Sequence, residues 1–353
     1  MRRLLISAML VLAPPVHAVD VHVRVDPSAP HVNPGSENLT TFPTIQNALD
    51  HHPFATHAGR VYIEIVPGTY RERVIVTQNH PNITFIGLGK SPEDVVITNS
   101  LNAKTAGGTF FTETVEINGT GFEADNITFE NTAGNTGQAV TIANRGDRSI
   151  FKHCRFLSHQ DTLFADYGRQ YYVDSYIEGG VDYIFGNATA VFDRDELHSN
   201  GPGFITAQSR TSSDQSTGYV ILNSKVTADL NASPFSSSDP NVPGAKSSAS
   251  ARNTIGLGRP WRAFSRVIYI NTQLPADLNP AGWNNWSNAA NESTAYYAES
   301  HSSGAGASPS TRVPWSHQLN AAEAKQYAPA TFLSGPTSGP HHWNPVAEAA
   351  KLP

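Results

Sequence analysis

The sequence predicts an all-β solenoid, in which short parallel strands stack on successive coils. Its composition is the first indication: only 15% of the 353 residues are charged, while Gly and Pro number 27 and 24. Such a composition is typical of strands joined by many turns. Short β-branched or aromatic segments, such as Val61–Ile65 and Val74–Val76, follow one another with almost no helical periodicity between them. An internal repeat of about 21 residues is the third indication.

Alignment of four segments makes the repeat visible. These are Asn126–Phe129, His153–Phe156, Asp174–Ile177 and Asp195–Leu197. Phe156 precedes Ile177 by 21 residues, and Ile177 precedes Leu197 by 20. A constant period with several short strands in each unit indicates a solenoid, whose equivalent residues stack about 4.8 Å apart on neighbouring coils. The alternative is a β-sandwich with accidental repetition.

Residues 1–18 are predicted to be a signal peptide. Arg2 and Arg3 precede the apolar stretch Leu4–Ala13, which is too short to span a bilayer, and a small-residue cleavage pattern ends at Ala18. We therefore expect a secreted protein, extracellular or periplasmic. No later run reaches 18 apolar residues, so no contact with a membrane is expected.

The remaining residues, 19–353, are predicted to form a single domain. A short helix at Thr44–Leu49 comes first, and an irregular tail from about 281 to 353, with a helical stretch near Ala321–Gln326, is expected to pack on the solenoid. Cys154 is the only cysteine, and its alternating surroundings favour a small core residue over a nucleophile. The net charge of −6 without a basic patch argues against nucleic acid as a partner.

The repeat brings a set of polar side chains together. Asp161 and Asp182 occupy equivalent positions on consecutive coils, and Gln138 lies 22 residues before Gln160. Two adjacent carboxylates cannot both ionise freely, so one tends to keep its proton. One acid and one base or nucleophile can then coexist at the same pH. Arg259 is the predicted cation that would fix which carboxylate ionises.

Five segments carry a family resemblance. They are Gly68–Glu72, Gln138–Val140, Gln160–Leu163, Asp182–Gly186 and Leu257–Trp261. In this order they resemble the five signature motifs of pectin methylesterases, and the match runs from about Phe42 to Trp343. One departure is Tyr183, where the family usually has Phe. The resemblance implies a right-handed parallel β-helix that removes methyl esters from methylesterified pectin and needs no metal or organic cofactor. We also expect a monomer.

The resemblance also implies a role for each polar residue. Asp182 matches the nucleophile and Asp161 the general acid/base. Gln160 matches the residue that stabilises the oxyanion, with assistance from Gln138, and Arg259 would orient Asp182. The expected substrate-binding residues are Arg259, Trp261, Gln138, Thr109 and Phe185. The match at Thr109 requires a one-residue gap, and for Phe185 simple packing is the alternative.

Two other functions remain open from the residues alone. A pectate lyase or polygalacturonase would also use a β-helix, but a lyase would need an acidic calcium-binding cluster, and the two glutamines would have no evident task. A non-catalytic carbohydrate-binding solenoid would keep the repeat. It would have no reason to align two aspartates, two glutamines and an arginine.

Overall fold

The computed structural model of the chain describes residues 20–29, 41–51, 59–228, 253–335 and 342–353. The predicted signal peptide lies outside these residues. Within them, every strand pair is parallel and the strands form three long sheets, called sheets 1, 2 and 3 below. The fold is the predicted right-handed parallel β-helix.

Each sheet takes one strand from successive coils. In spatial order, the twelve described strands of sheet 1 are Thr41–Phe42, Val21–Val25, Val61–Ile65, Ile83–Gly87, Glu123–Asp125, Ser149–Lys152, Arg169–Val173, Thr189–Asp193, Gly218–Leu222, Arg266–Ile270, Tyr296–Ser300 and His317–Gln318. The seven of sheet 2 are Lys225–Ala228, Glu196–Ser199, Tyr176–Gly179, Arg155–Leu157, Thr128–Asn131, Val95–Asn99 and Gly68–Arg71. The seven of sheet 3 are Ile255–Gly258, Gly203–Gln208, Ile184–Gly186, Leu163–Ala165, Ile142–Asn144, Val115–Ile117 and Val74–Val76.

The register agrees with the repeat read from the sequence. Phe129 pairs with Phe156, Phe156 with Ile177, and Ile177 with Leu197 in sheet 2. Because equivalent residues stack on one another, the interior is a set of ladders. Phe129 and Phe156, for example, stack with ring centroids 5.6 Å apart. Cys154 is 1% exposed, which confirms the prediction of a core residue.

Short helices lie at the two ends and in the connections. The predicted N-terminal helix is confirmed at Ile45–His51, where Ile45, Ala48 and Leu49 are buried. Among the described residues, the other α-helices are Ala103–Ala106, Ala321–Ala324, Pro329–Phe332 and Pro345–Ala349, and the 3-10 helices are Pro92–Asp94, Thr109–Phe111, Ala289–Ser293, Pro309–Thr311 and Lys325–Tyr327. None of the helices in the described residues is long and apolar enough to cross a membrane.

The C-terminal part packs on the outer face of sheet 1. Tyr327, Leu333 and Trp343 are buried in one apolar cluster with Tyr171 and Val220, which point outward from that sheet.

Candidate active site

Asp161 and Asp182 lie in the turns that connect sheet 2 to sheet 3. Gln160 pairs with Val181 in parallel register, so the two aspartates that follow them occupy the same position on consecutive coils. Both have a left-handed backbone, with φ of 62° and 49°. Asp and Asn adopt this conformation more readily than most residues, which suits an aspartate to a tight turn. The backbone N–H of Asp161 donates to the carbonyl of Val181 at 3.1 Å.

Arg259 forms a two-pronged ion pair with Asp182. Its Nε donates to Oδ1 at 3.0 Å and its Nη2 to Oδ2 at 2.7 Å, and Arg259 is only 1% exposed. The predicted contact between these two side chains is therefore present, and a fork of this kind favours the ionised form of the carboxylate. The residue before Arg259 is Gly258, which pairs with Thr206 on the adjacent strand of sheet 3. A side chain would not fit there, since a Cβ would lie 2.1 Å from Oγ1 of Thr206.

Two aromatic rings enclose the guanidinium of Arg259. Its central carbon lies 3.9 Å from the ring centroid of Trp286 and 4.9 Å from that of Phe204. These contacts desolvate the ion pair and strengthen it. Trp286 was not predicted from the sequence, because it lies in the irregular C-terminal part, where no repeat assigns it a position. The sequence feature that could have pointed to Trp286 is a second tryptophan, Trp283, three residues earlier.

The environment of Asp161 favours the protonated form of its carboxyl group. Burial raises the pKa of Asp161 well above its ordinary value, the charge of Asp182 raises the pKa further, and Arg259 opposes both effects. The residue as a whole nevertheless remains partly exposed. The pair thus combines one carboxylate held in the charged form by Arg259 with one carboxyl group that favours the neutral form.

Gln138 and Gln160 lie one position before this column of aspartates. They pair with each other in parallel register, and Gln160 pairs with Val181 on the next coil. Both glutamines are partly exposed. The two glutamines therefore lie on consecutive coils along the solenoid axis, and Gln160 directly precedes Asp161.

A row of aromatic rings leads away from Arg259 along sheet 3. Trp261 lies 5.9 Å from Phe185, Phe185 stacks on Phe164 at 4.6 Å, and Phe164 lies 5.0 Å from Phe110. Trp261 is partly exposed and Phe110 is 44% exposed, whereas Phe185 is nearly buried. Thr109 precedes Phe110 at the far end of the row. The structure thus places Thr109 and Trp261 at opposite ends of this row of rings, whose two central members, Phe164 and Phe185, are buried.

The chain resembles known proteins over most of its length. The family model described as Pectinesterase matches residues 32–336. Pectinesterase 31 of Arabidopsis thaliana is 40% identical over 301 residues, which cover 82% of this chain and 88% of that protein. The solved structure of pectin methylesterase from carrot has a TM-score of 0.74 and 33% identity, covering 87% of this chain and 95% of that one.

A solved pectin methylesterase in complex with a hexasaccharide is also similar. It has a TM-score of 0.70 and 26% identity, and the match covers 95% of this chain and 100% of that one. The family match extends over far more than half of the sequence, and the fold is shared over nearly all of it. This chain belongs to the pectinesterase family.

Proposed function

We propose that this chain hydrolyses the methyl esters of galacturonate units in pectin, releases methanol and leaves demethylated pectin. The observation that carries the mechanism is the buried fork of Arg259 on Asp182, with Asp161 on the adjacent coil. Membership of the pectinesterase family supports the reaction, and the hexasaccharide bound by a relative supports a polysaccharide substrate. A lyase, a polygalacturonase or a non-catalytic solenoid is not favoured.

Asp182 acts as the nucleophile in the first step. One of its carboxylate oxygens attacks the ester carbonyl carbon, and the carbonyl oxygen gains negative charge. The side-chain amides of Gln138 and Gln160 donate hydrogen bonds to this oxyanion. When the tetrahedral intermediate collapses, the bond to the methoxy oxygen breaks and Asp182 is left acylated.

Asp161 transfers the protons. It donates its proton to the departing methoxy oxygen, which leaves as methanol. Asp161 is then a carboxylate. It next removes a proton from a water molecule, whose oxygen attacks the galacturonyl carbonyl carbon of the acyl-enzyme and breaks the bond between that carbon and the Asp182 oxygen. Release of the free galacturonate carboxyl regenerates the carboxylate of Asp182 and the protonated Asp161, so the cycle closes without an added reagent.

The remaining candidate residues hold the sugar. Trp261 offers a flat, partly exposed face for a pyranose ring, and Arg259 binds substrate as well as orienting Asp182. Gln138 serves both substrate and oxyanion. Phe185 supports Trp261 from below, and Thr109 contacts the polymer at the other end of the row.

The test is methanol release from highly methylated pectin, with polymer length followed in parallel. We expect release without shortening for the wild type. Asp182→Asn should lose nearly all activity and keep its fold, because an amide is not a nucleophile. Asp174→Asn is the matched control: this aspartate is also paired with an arginine, Arg194, but lies at the corner between sheets 1 and 2. Folded Asp182→Asn retaining more than a few per cent of activity would refute its role, and shortened polymer would indicate a lyase or hydrolase.

We further propose that the mature protein begins after Ala18, is secreted and acts as a monomer. The sequence of the first 18 residues supports export. A polymeric substrate that cannot enter a cell requires an enzyme outside the cytoplasm.

A further inference from the structure

The proposed substrate cleft follows the aromatic row from Trp261 to Phe110. Toward the N-terminal coils, charged side chains take the place of the aromatic rings on this face. Glu116, Ala143, Phe164, Phe185 and Ala207 are paired in register on five successive strands of sheet 3. In-register residues of a parallel sheet point to the same face. Glu116 therefore lies on the face that carries Phe164 and Phe185, two coils from Phe164 and roughly 10 Å away.

A cluster of five charged residues surrounds Glu116. This cleft-end cluster consists of Arg73, Glu113, Glu116, Arg145 and Asp166. Arg145 contacts three carboxylates: Nη1 lies 3.2 Å from Glu116, Nε 3.3 Å from Asp166 and Nη2 3.7 Å from Glu113. Arg73 Nη2 lies 3.3 Å from both glutamates. Three carboxylates thus share two guanidinium groups, which gives a formal charge of −1.

This cluster borders the proposed substrate cleft directly. The guanidinium carbon of Arg145 lies 5.3 Å from the ring centroid of Phe164, within the aromatic row. The side chains of Asp166 and Glu116 are 33% and 22% exposed, while that of Glu113 is fully buried. The carboxylates of Asp166 and Glu116 are therefore the acidic groups that a polymer extending past Phe164 would meet.

Arg145 is poorly placed to receive a carboxylate from the substrate. Each of its three nitrogen atoms already faces a carboxylate of the protein. An incoming galacturonate would have to compete with all three while approaching their excess negative charge. Burial raises the pKa of Glu113 and of Asp166, so the negative excess is lost as the pH falls through those raised values.

We propose that the cleft-end cluster makes this end of the cleft select a methylesterified galacturonate unit over a free one. The proposal rests on the proposed esterase function and identifies the substrate pattern of the same site. A methyl ester is uncharged and stacks beside the cluster without penalty. A free galacturonate carries one negative charge, which the cluster repels across a cleft of reduced dielectric constant.

The test compares kcat/KM per methyl ester on highly and sparsely methylated pectin at about pH 8, well above the ordinary pKa of a carboxyl group. Asp166→Asn should raise the relative rate on sparsely methylated pectin by about three- to tenfold. This range is the Coulomb effect of one charge about 8 Å away at an effective dielectric constant of about 40. Asp174→Asn again serves as the control, because its side chain is 36% exposed, close to the 33% of Asp166, and it is also paired with an arginine.

Ionic strength separates repulsion from capture of a free carboxylate by Arg145. Repulsion predicts that added salt raises the relative rate on sparsely methylated pectin, and that Asp166→Asn flattens this dependence while Asp174→Asn does not. A relative rate that falls with salt would overturn the proposal and assign Arg145 as a carboxylate-binding residue. Equal ratios in the two variants would also overturn it. A wild type that releases no methanol from any pectin would instead refute the proposed function.

Discussion

Asp161 and Asp182 are the same residue type, in the same backbone conformation, one coil apart. Their surroundings differ: Arg259 donates two hydrogen bonds to Asp182, whereas the pKa of Asp161 is raised first by burial and then by the charge of Asp182, with Arg259 opposing both effects. A repeated structure supplies the pair, and one side chain from a later coil breaks its symmetry. The two aspartates and two glutamines could be predicted from the sequence because they follow the period, and Arg259 could be predicted from the motif Leu257–Trp261. Trp286 and Asp166 could not, because they belong to segments outside the aligned strands.

At the scale of single residues, Gln160 provides the sharpest kinetic test. Gln160→Ala removes one donor to the oxyanion, so kcat should fall by about 10²–10³-fold with a smaller change in KM. Gln318→Ala, at an exposed glutamine in the last described strand of sheet 1, should leave both constants unchanged. Steady-state kinetics on methylated pectin measures both. A change confined to KM would assign Gln160 to ground-state binding.

At the scale of secondary-structure elements, the corner between sheets 1 and 2 is held by a side-chain ladder. The N–H of Cys154 donates to Oγ of Ser175 at 3.0 Å, the N–H of Ser175 to Oδ1 of Asp195 at 2.8 Å, and the N–H of Asp195 to Oγ of Ser224 at 3.0 Å. The sequence period predicted that Cys154, Ser175 and Asp195 stack, and the structure adds Ser224. It could not predict the ladder, since hydrogen bonding at a corner depends on the rotamer of each side chain and not on hydrophobic alternation.

Asp195 is the member of this ladder whose charge is least favourable in the folded protein. It is 1% exposed, its Oδ2 accepts no hydrogen bond from the described residues, and burial raises its pKa well above the ordinary value. Between the ordinary and the raised pKa, the folded protein holds a proton that the unfolded chain releases. Stability therefore decreases as the pH rises through this window, by about 1.4 kcal/mol per pH unit at most.

Asp195→Asn should remove that loss of stability. The amide keeps an oxygen acceptor for the N–H of Ser175 and carries no charge, so the variant should match the wild type near pH 4 and exceed it in free energy of unfolding at higher pH. Denaturant unfolding at several pH values measures the difference. Asp214→Asn, at an exposed loop aspartate, should show no such pH dependence. A variant less stable than the wild type at every pH would show that the carboxylate itself is required.

At the scale of the whole molecule, the described end of the chain covers an apolar face of the solenoid. Ile150, Tyr171, Val191, Val220 and Ile268 are paired in register across five strands of sheet 1 and are all buried with C-terminal residues. A column of this kind would be an exposed apolar patch if the tail were absent. Hydrophobic alternation predicted the strands, but the tail has no repeat, so its contacts with particular strands could not be assigned from the sequence.

Trp343 is the residue that most clearly ties the tail to the solenoid. It is 1% exposed, its Nε1 donates to Glu348 at 2.8 Å, and the guanidinium of Arg169 lies 5.7 Å from the centroid of its ring. Trp343→Ala should lower the free energy of unfolding by about 3–5 kcal/mol, the usual cost of emptying a buried tryptophan site. Denaturant unfolding followed by circular dichroism measures it. Since sheet 1 carries none of the proposed catalytic residues, kcat of the folded variant should not change.

Val346→Ala is the matched control for Trp343→Ala, because Val346 lies on the helix Pro345–Ala349 that follows Trp343 and is 46% exposed. Its substitution should change stability by less than about 0.5 kcal/mol, as is usual for exposed sites. Equal stabilities of the two variants would mean that the tail contributes little to the solenoid. A loss of kcat together with stability in Trp343→Ala would mean instead that a change in the packing of sheet 1 alters the positions of Asp161 and Asp182. The stacking of successive coils permits such an effect, but the separation of the sheets argues against it.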